Sequence, residues 1–128
     1  MVGSTDKVYL YWAKVTNVYD GDTLTADISV GFGITLAKQK LRLYGIDTPE
    51  IRGGTEETKA AARTSRDRLR GLVLDRWIVL ETIKDEKGKY GRYLAIIWLP
   101  ENDVEPYGLF TDVNSLLVAE GLAEEKYY

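Results

Sequence analysis

The sequence predicts an α+β fold in which five β-strands close into a small barrel and two helices pack outside it. Strand patterns occur three times before the first helical pattern and twice after it, and a second helical pattern lies near the end. No internal repeat or low-complexity segment interrupts this order. Because 128 residues with 45% hydrophobic content suit one core, we expect residues 1–128 to form a single domain.

The first two predicted strands flank a tight turn. Residues 8–19 are rich in β-branched and aromatic side chains and lead into the turn sequence Asp20-Gly21-Asp22. From Thr23 to Val30 polar and apolar residues alternate, which is typical of a strand with one buried face. These features predict two adjacent strands.

The third predicted strand, residues 34–46, follows the glycine-rich hairpin sequence Gly31-Phe32-Gly33. Its apolar positions are even-numbered before residue 37 and odd-numbered after residue 40. We therefore expect a bulge or sharp bend near residues 37–40, as occurs where strands curl into small barrels.

The first predicted helix is capped by Thr55 and runs to about Leu72, with glutamates favourably placed in its first turn. The residues expected to pack on the core are Ala61, Ala62, Ser65, Leu69 and Leu72. Another face is basic and consists of Lys59, Arg63, Arg66 and Arg70. A solvated face is the commoner meaning of such a row, and a nucleic-acid contact is the alternative.

The second β section and the last helix complete the fold. Residues 77–82 and 92–99 read as strands joined by a polar hairpin loop, and Pro100 ends the second. Asp112 is expected to cap a helix whose apolar residues are Val113, Leu116, Leu117 and Ala119. Gly121 should end it with a C′ cap. The complete order predicts an OB-like barrel.

Composition narrows the chemistry. The chain has no cysteine and no histidine, which excludes disulfides, zinc–thiolate sites, histidine metal sites and the Ser-His-Asp triad. Hydrolysis would have to use carboxylates, arginines, lysines, tyrosines or a hard metal ion bound by oxygen. The net charge of −3 argues mildly against broad phosphate binding.

The sequence indicates neither a membrane partner nor an obligate protein partner. No apolar run approaches the roughly 20 residues that a spanning helix needs. Localisation is left open, because the first residues do not resemble a signal peptide and a secreted form with its leader removed is compatible with the sequence.

Four short segments carry candidate functional residues. They are Asp20-Gly21-Asp22-Thr23, Leu41-Arg42-Leu43, Asp47-Thr48-Pro49-Glu50 and Lys89-Tyr90-Gly91-Arg92. Taken singly, each has an ordinary explanation as a turn, a strand or a hairpin loop. Period two directs Arg42 away from its leucine neighbours, and a strand end would keep it near Asp47 and Glu50.

Together and in this order, the four segments resemble the staphylococcal nuclease family. Val113 to Ala123 also matches, so the resemblance extends from about residue 12 to the end. It implies an OB-type barrel, one calcium ion and hydrolysis of DNA and RNA phosphodiesters. The implied products carry 3′-phosphate and 5′-hydroxyl ends, and the implied substrates are single-stranded or breathing DNA and RNA.

The resemblance also implies a role for each matching residue. Asp22 and Asp47 correspond to calcium-binding carboxylates, and Thr48 corresponds to a residue that binds the ion through its backbone carbonyl. Oxygen ligands suit a hard cation. Glu50 corresponds to the glutamate that orients or deprotonates the attacking water, and the sequence leaves both roles open. We expect the carboxylates of these acids to converge within reach of one ion.

Five further residues are implied to contact substrate. Arg42 and Arg92 correspond to arginines at the scissile phosphate, where guanidinium groups stabilise developing negative charge. Lys89 and Tyr90 correspond to residues at a terminal phosphate. Tyr127 corresponds to a base-stacking tyrosine, and a frayed terminal aromatic is its alternative.

Three departures separate the chain from better-known members of that family. We expect two helices where those members have three, the stretch between Glu50 and the first predicted helix is short, and the sequence is acidic rather than basic. Two alternatives follow: a catalytically weak or inactive family member that binds nucleic acid or protein, and an unrelated OB-like interaction domain.

Overall fold

The computed structural model describes residues 8–50, 54–87, 91–101 and 109–127. The strands are β1 (Val8–Asp20), β2 (Thr23–Ser29), β3 (Thr35–Leu43), β4 (Ile46–Asp47), β5 (Trp77–Lys87), β6 (Tyr93–Pro100), β7 (Phe110–Asp112) and β8 (Glu124–Glu125). The helices are α1 (Glu56–Val73), between β4 and β5, and α2 (Val113–Ala119), between β7 and β8.

Five strands close into a barrel. Neighbours in the order β3-β2-β1-β5-β6 pair antiparallel, and β6 then pairs in parallel with β3, with Leu41 opposite Tyr93 and Leu43 opposite Ala95. This confirms the predicted α+β, OB-like five-stranded barrel with two helices. Two short pairings were not predicted: β7 lies antiparallel to β6, and β4 lies antiparallel to β8.

The hydrophobic core fills the barrel and extends to both helices. Its fully buried large side chains include Val15, Leu24, Leu41, Leu43, Leu69, Ile78, Leu80, Ile97 and Leu117. Their alternation along β2 and β3 turns Thr25, Lys40 and Arg42 away from the barrel interior. Thr23, the ladder partner of Arg42, points to the same side but is buried. Within the described part of the chain, no helix combines the length and apolar character needed to cross a membrane.

The phase change in β3 is a bulge, as predicted. Between the pairs Ala26–Gln39 and Ile28–Leu36, β3 advances one residue more than β2. Lys38 takes a positive φ of 55°, and its backbone N–H donates to Asp27 Oδ1 at 2.9 Å. The extra residue lets the strand bend into the barrel while its buried face stays continuous.

Strand β1 contains two bulges that the sequence did not reveal. Its pairing with β2 slips by one residue at Thr16 and again at Tyr19. A bulge re-aims the side chains beside it. Tyr19 consequently projects outward, with 53% of its surface exposed.

Helix α1 begins as predicted, and its buried face differs slightly from the prediction. The Thr55 side chain caps it by accepting a hydrogen bond from the Thr58 N–H. The buried residues are Ala62, Ser65, Leu69 and Val73. Ala61 is exposed and Leu72 half-buried, because the helix presents the i, i+3, i+4 row from residue 62 rather than from residue 61.

Helix α2 has both predicted caps. Asp112 accepts from the Ser115 N–H, and Gly121 takes a positive φ of 75° after the last turn. The Leu122 N–H then bonds the Leu117 carbonyl, which satisfies a helix-end acceptor. Of the predicted apolar residues, Ala119 is exposed. Its place in the buried face is taken by a residue that the sequence did not point to, Asn114.

Candidate active site

The turn between β1 and β2 is packed tightly against helix α1. A Cβ atom added to Gly21 would lie 2.7 Å from Ser65 Cβ and 3.1 Å from Thr48 Cγ2, so only glycine fits without a shift. Ser65 Oγ in turn donates to the Leu122 carbonyl at 2.7 Å. The helix therefore fixes the position of the neighbouring Asp22, which is 7% exposed.

The Asp22 carboxylate is held from two sides. Oδ2 accepts from the Thr48 N–H at 3.0 Å, and Oδ1 accepts from the Thr23 hydroxyl at 3.1 Å. The first bond joins the β1–β2 turn to the segment after β4. Two predicted metal ligands, Asp22 and Thr48, are thus adjacent in space.

Arg42 lies between two carboxylates. Its Nη2 atom is 3.4 Å from Asp22 Oδ2 and 3.3 Å from Asp47 Oδ1, and its Nη1 donates to the Leu43 carbonyl at 2.8 Å. Only 12% of the Arg42 side chain is exposed. Both predicted carboxylate ligands consequently converge on one cationic atom.

Arg92, which directly precedes β6, reaches the same region. Its Nη1 donates to Thr23 Oγ1 at 3.5 Å, and Thr23 is the partner of Arg42 across the β2–β3 ladder. The parallel pairing of β3 with β6 brings the two arginines together from distant parts of the sequence. Both therefore flank Thr23.

A surface cleft of about 600 Å³ opens beside this cluster. Its lining residues are Asn17, Tyr19, Asp20, Thr23, Thr25, Lys40, Glu50 and Arg92. Glu50 is exposed there, and Arg92 is half-buried. A carboxylate that faces water beside a guanidinium is suited to act on a water molecule near a bound anion.

The expected convergence of three carboxylates is wrong. Among the residues that the structure describes, no three acidic side chains lie close enough together to hold a metal ion. Asp22 and Asp47 turn toward Arg42, whereas Glu50 follows Pro49 and faces the cleft with Arg92. The assignments of Asp22, Asp47 and Thr48 to metal and of Glu50 to water stay predictions.

The donor set at Asp22 and Asp47 fits a hard cation. Both carboxylates contact the same guanidinium nitrogen, Arg42 Nη2. Ionised carboxylates keep further lone pairs after such contacts. The buried Thr48 Oγ1 has no hydrogen-bond partner within the described residues. Two carboxylates and a peptide carbonyl are compatible with calcium if water or substrate oxygens supply the remaining ligands.

The end of the chain packs against the turn that leads to Asp47. Lys126 N–H donates to the Gly45 carbonyl at 2.9 Å, and Lys126 Nζ lies 3.7 Å from Asp47 Oδ2. The Tyr127 ring meets Tyr44 edge-on, with 5.6 Å between ring centroids. Tyr127 keeps 67% of its surface exposed, so a ring face is accessible near the site.

Two predicted substrate-binding residues, Lys89 and Tyr90, lie outside the described residues. The basic face of α1 is partly committed to internal contacts. Arg70 donates to the Val18 carbonyl at 3.2 Å and 3.1 Å, and Arg66 pairs with Asp67. This favours a structural role for that end of the row over a nucleic-acid contact.

Several cleft residues were not singled out from sequence. Lys40 shares the outer face of β3 with Arg42, and the period-two pattern contained the signal that would have found it. The alternation along β2 likewise contained the signal for Thr25. Asn17 and Tyr19 gave no such signal, because the bulges in β1 decide which of its side chains reach the cleft.

Comparison with known proteins gives a matching family profile and several related proteins, of which two are described here. A family profile described as "Staphylococcal nuclease homologue" matches residues 40–128. A thermonuclease from Staphylococcus hyicus is 33% identical over 115 residues, covering 90% of this chain and 59% of that protein. A thermonuclease from Staphylococcus intermedius is 30% identical over 114 residues, covering 89% of this chain and 59% of that protein.

The matched region includes most of the site. Arg42, Asp47, Glu50 and Arg92 all lie within the segment that the family profile covers. The chain spans about three fifths of the length of the curated relatives that it matches. The barrel topology, the profile match and the identity to the two thermonucleases place this chain in the staphylococcal nuclease family.

Proposed function

We propose that this chain is a calcium-dependent endonuclease that hydrolyses phosphodiester bonds of DNA and RNA with no preference for the sugar. The proposal rests above all on one observation. Arg42 and Arg92 flank Thr23, and Arg42 also contacts both Asp22 and Asp47. Two guanidinium groups beside paired carboxylates form an arrangement suited to bind a phosphodiester anion and a cation together.

The arginines would act on charge that develops at phosphorus. Attack on a phosphodiester increases negative charge on the phosphoryl oxygens, and planar guanidinium groups donate hydrogen bonds to such oxygens in pairs. Arg42 is already oriented by its bond to the Leu43 carbonyl. That bond involves neither carboxylate, so it would still restrain the guanidinium once calcium holds Asp22 and Asp47, and the ordering cost of substrate binding would be reduced.

Glu50 would act on the attacking water. It is exposed in the cleft that Arg92 lines, so water has access to its carboxylate. The glutamate either orients the water or accepts its proton as the water oxygen bonds to phosphorus. The bond from phosphorus to the 5′ oxygen breaks, and that oxygen takes up a proton from solvent water, so no net proton is lost. The expected products are a 3′-phosphate and a 5′-hydroxyl.

Calcium would be held by Asp22, Asp47 and the Thr48 carbonyl. Bound there, it would supply positive charge to a phosphoryl oxygen. The ion would compete with Arg42 for the two carboxylates, which leaves the guanidinium available to the substrate.

The proposed substrates are single-stranded or transiently opened nucleic acids. The net charge of −3 gives no broad attraction to duplex phosphates, so binding would depend on the local cationic groups at the cleft. We expect cleavage of single strands to exceed cleavage of duplexes.

The test is cleavage of single-stranded DNA in calcium, in magnesium and in chelator. We expect cleavage in calcium, loss in chelator, and a fall of at least about a hundredfold in Glu50→Ala and Arg42→Ala. Glu57→Ala and Arg76→Ala are matched controls, because both residues are exposed away from the cleft. Cleavage that survives chelator, or that is equal in the variants, would refute the assignment.

A second readout does not depend on activity. Calcium that binds only the folded chain should raise its melting temperature, and Asp22→Asn should abolish that rise. Oligonucleotide binding without cleavage under every metal condition would instead favour a non-catalytic binding module.

A further inference from the structure

Two parallel rows of outward side chains cross the three strands β1, β2 and β3. The first row contains Asp20, Thr23 and Arg42, which are partners across the ladders. It belongs to the site already described. The second row contains Asn17, Thr25 and Lys40, again paired strand to strand. Its amide, hydroxyl and ammonium groups have no part in the proposed reaction.

The second row lines the same cleft as Glu50 and Arg92. Lys40 lies two residues from Arg42 on one face of β3, which separates their Cα atoms by about 7 Å. That spacing is of the order of one nucleotide step along an extended strand. Lys40 is exposed, and no acidic side chain of the described residues forms an ion pair with it.

Tyr19 brings an aromatic ring to the same cleft. The bulge at this position turns the ring away from the barrel and leaves it 53% exposed. The aromatic contacts of the described residues do not include Tyr19. A ring in this position keeps a π face available to stack on a ligand bound in the cleft.

We propose that Tyr19 and Lys40 form a subsite for the nucleotide next to the cleaved bond. Tyr19 stacks on its base, Lys40 binds the phosphate beyond it, and Asn17 and Thr25 offer hydrogen bonds between the two. The inference rests on the proposed nucleic-acid substrate, but it does not require that cleavage occur.

The chemistry of the subsite favours a single strand. A ring that stacks on a base needs that base unpaired, and stacking tolerates any base because each has a π face. The carboxylates of Asp20 and Glu50 line the same cleft and would repel additional phosphates. Lys40 therefore marks one phosphate position, rather than a broad electrostatic surface.

The test measures binding of a fluorescent thymidine oligonucleotide of roughly eight residues, in chelator, at several salt concentrations. Lys40→Ala should weaken binding and make the slope of log K against log salt less negative by about 0.7, the value for one phosphate contact on a single strand. Tyr19→Ala should raise Kd by about tenfold without changing that slope. Tyr19→Phe keeps the ring and should therefore bind with the Kd of the unmodified chain.

Lys14→Ala is the matched control, since Lys14 is exposed on β1, does not line the cleft and carries the same charge. Its salt slope should equal that of the unmodified chain. Equal Kd values and slopes for Lys40→Ala and Lys14→Ala would overturn the subsite, as would failure of the unmodified chain to bind. If the chain binds as expected but never cleaves, the subsite stands and the nuclease proposal falls.

Discussion

The contact between α2 and the barrel around Asn114, called the seam below, differs from the cleft in how far its polar groups are buried and hydrogen-bonded. At the seam, Asn114 is 4% exposed, its Oδ1 accepts from the Ile97 N–H, and its Nδ2 donates to the carbonyls of Tyr44 and Ala95. In the cleft, Tyr19, Lys40 and Glu50 are exposed. Buried polar groups with all bonds made fix a structure, whereas exposed groups remain available to a ligand.

The two regions are linked through β3 and β6. Tyr44 directly follows β3, and Ala95 lies within β6, so the Asn114 amide bridges the two strands that close the barrel. Those strands also position Arg42 and Arg92. The seam therefore determines where the arginines lie, while the cleft residues determine what can bind between them. Substitutions should separate these two contributions.

Asn114→Ala should produce the largest loss of stability. It removes three hydrogen bonds and leaves the buried Ile97 N–H without its acceptor, so we expect the free energy of unfolding to fall by about 3 kcal/mol. Chemical denaturation measures this, with Asn17→Ala as the control, because Asn17 is an exposed asparagine. Glu50→Ala should change stability by less than about 0.5 kcal/mol. Similar losses of stability for Asn114→Ala and Glu50→Ala would contradict the assignment of stability to the seam and of ligand binding to the cleft.

Gly21→Ala should lower the stability of the fold by less than Asn114→Ala, and it should also weaken the proposed calcium site. The new Cβ would meet Ser65 Cβ at 2.7 Å, so α1 or the turn must shift, at a cost of about 1–3 kcal/mol. Because the turn carries Asp22, calcium should also stabilise this variant less than the unmodified chain. Melting temperature with and without calcium reports both effects.

A double-mutant cycle tests the cause of the Gly21→Ala effect. Ser65→Gly removes the clashing atom, so its combination with Gly21→Ala should cost less than the two single changes added together. Ser65→Ala keeps the Cβ and should give no such relief. Additive losses in both pairs would show that the contact is not responsible.

Removing the Arg68–Glu120 pair should have the smallest effect. Arg68 Nε and Nη2 donate to both carboxylate oxygens of Glu120 at 2.8 Å. The hydrogen bond from Arg68 lowers the pKa of Glu120, and its charge acts in the same direction. Because the pKa of Glu120 is lower in the folded chain than in the unfolded chain, the pair stabilises the fold at pH values above the ordinary carboxyl pKa. This stabilisation is lost as the pH falls through the lowered pKa of the folded chain.

The pair is exposed, so solvent screens it and Glu120→Gln should change stability only slightly near neutral pH. The difference between variant and unmodified chain should vanish in acid, once Glu120 is protonated. Denaturation curves at both pH values provide the measurement. A difference that grows in acid would contradict the sign.

Local features were the most predictable from sequence. The caps at Thr55 and Asp112 depend on a side chain and a backbone group three residues later, and the Gly121 cap depends on a positive φ that glycine favours. The β3 bulge was visible as a phase change in the apolar pattern. Such signals lie within a few residues of each other.

Features that depend on distant partners were not predictable. Asparagine is usually a surface residue. Asn114 is buried because the backbone groups of Tyr44, Ala95 and Ile97 hydrogen-bond to its side chain. The β4–β8 pairing is too short to carry a periodic pattern. Likewise, Glu50 lies in the cleft, apart from Asp22 and Asp47, and no short-range sequence pattern predicts this placement.

The parallel pairing of β3 with β6 has a consequence for the order of folding. All of α1 and β5 lie between these strands in sequence, so closing the barrel requires a long loop to be ordered first. Arg42 and Arg92 cannot meet until that closure occurs. If the two arginines bind phosphate as proposed, that binding would be acquired late in folding, and its appearance during refolding would report the moment at which the barrel closes.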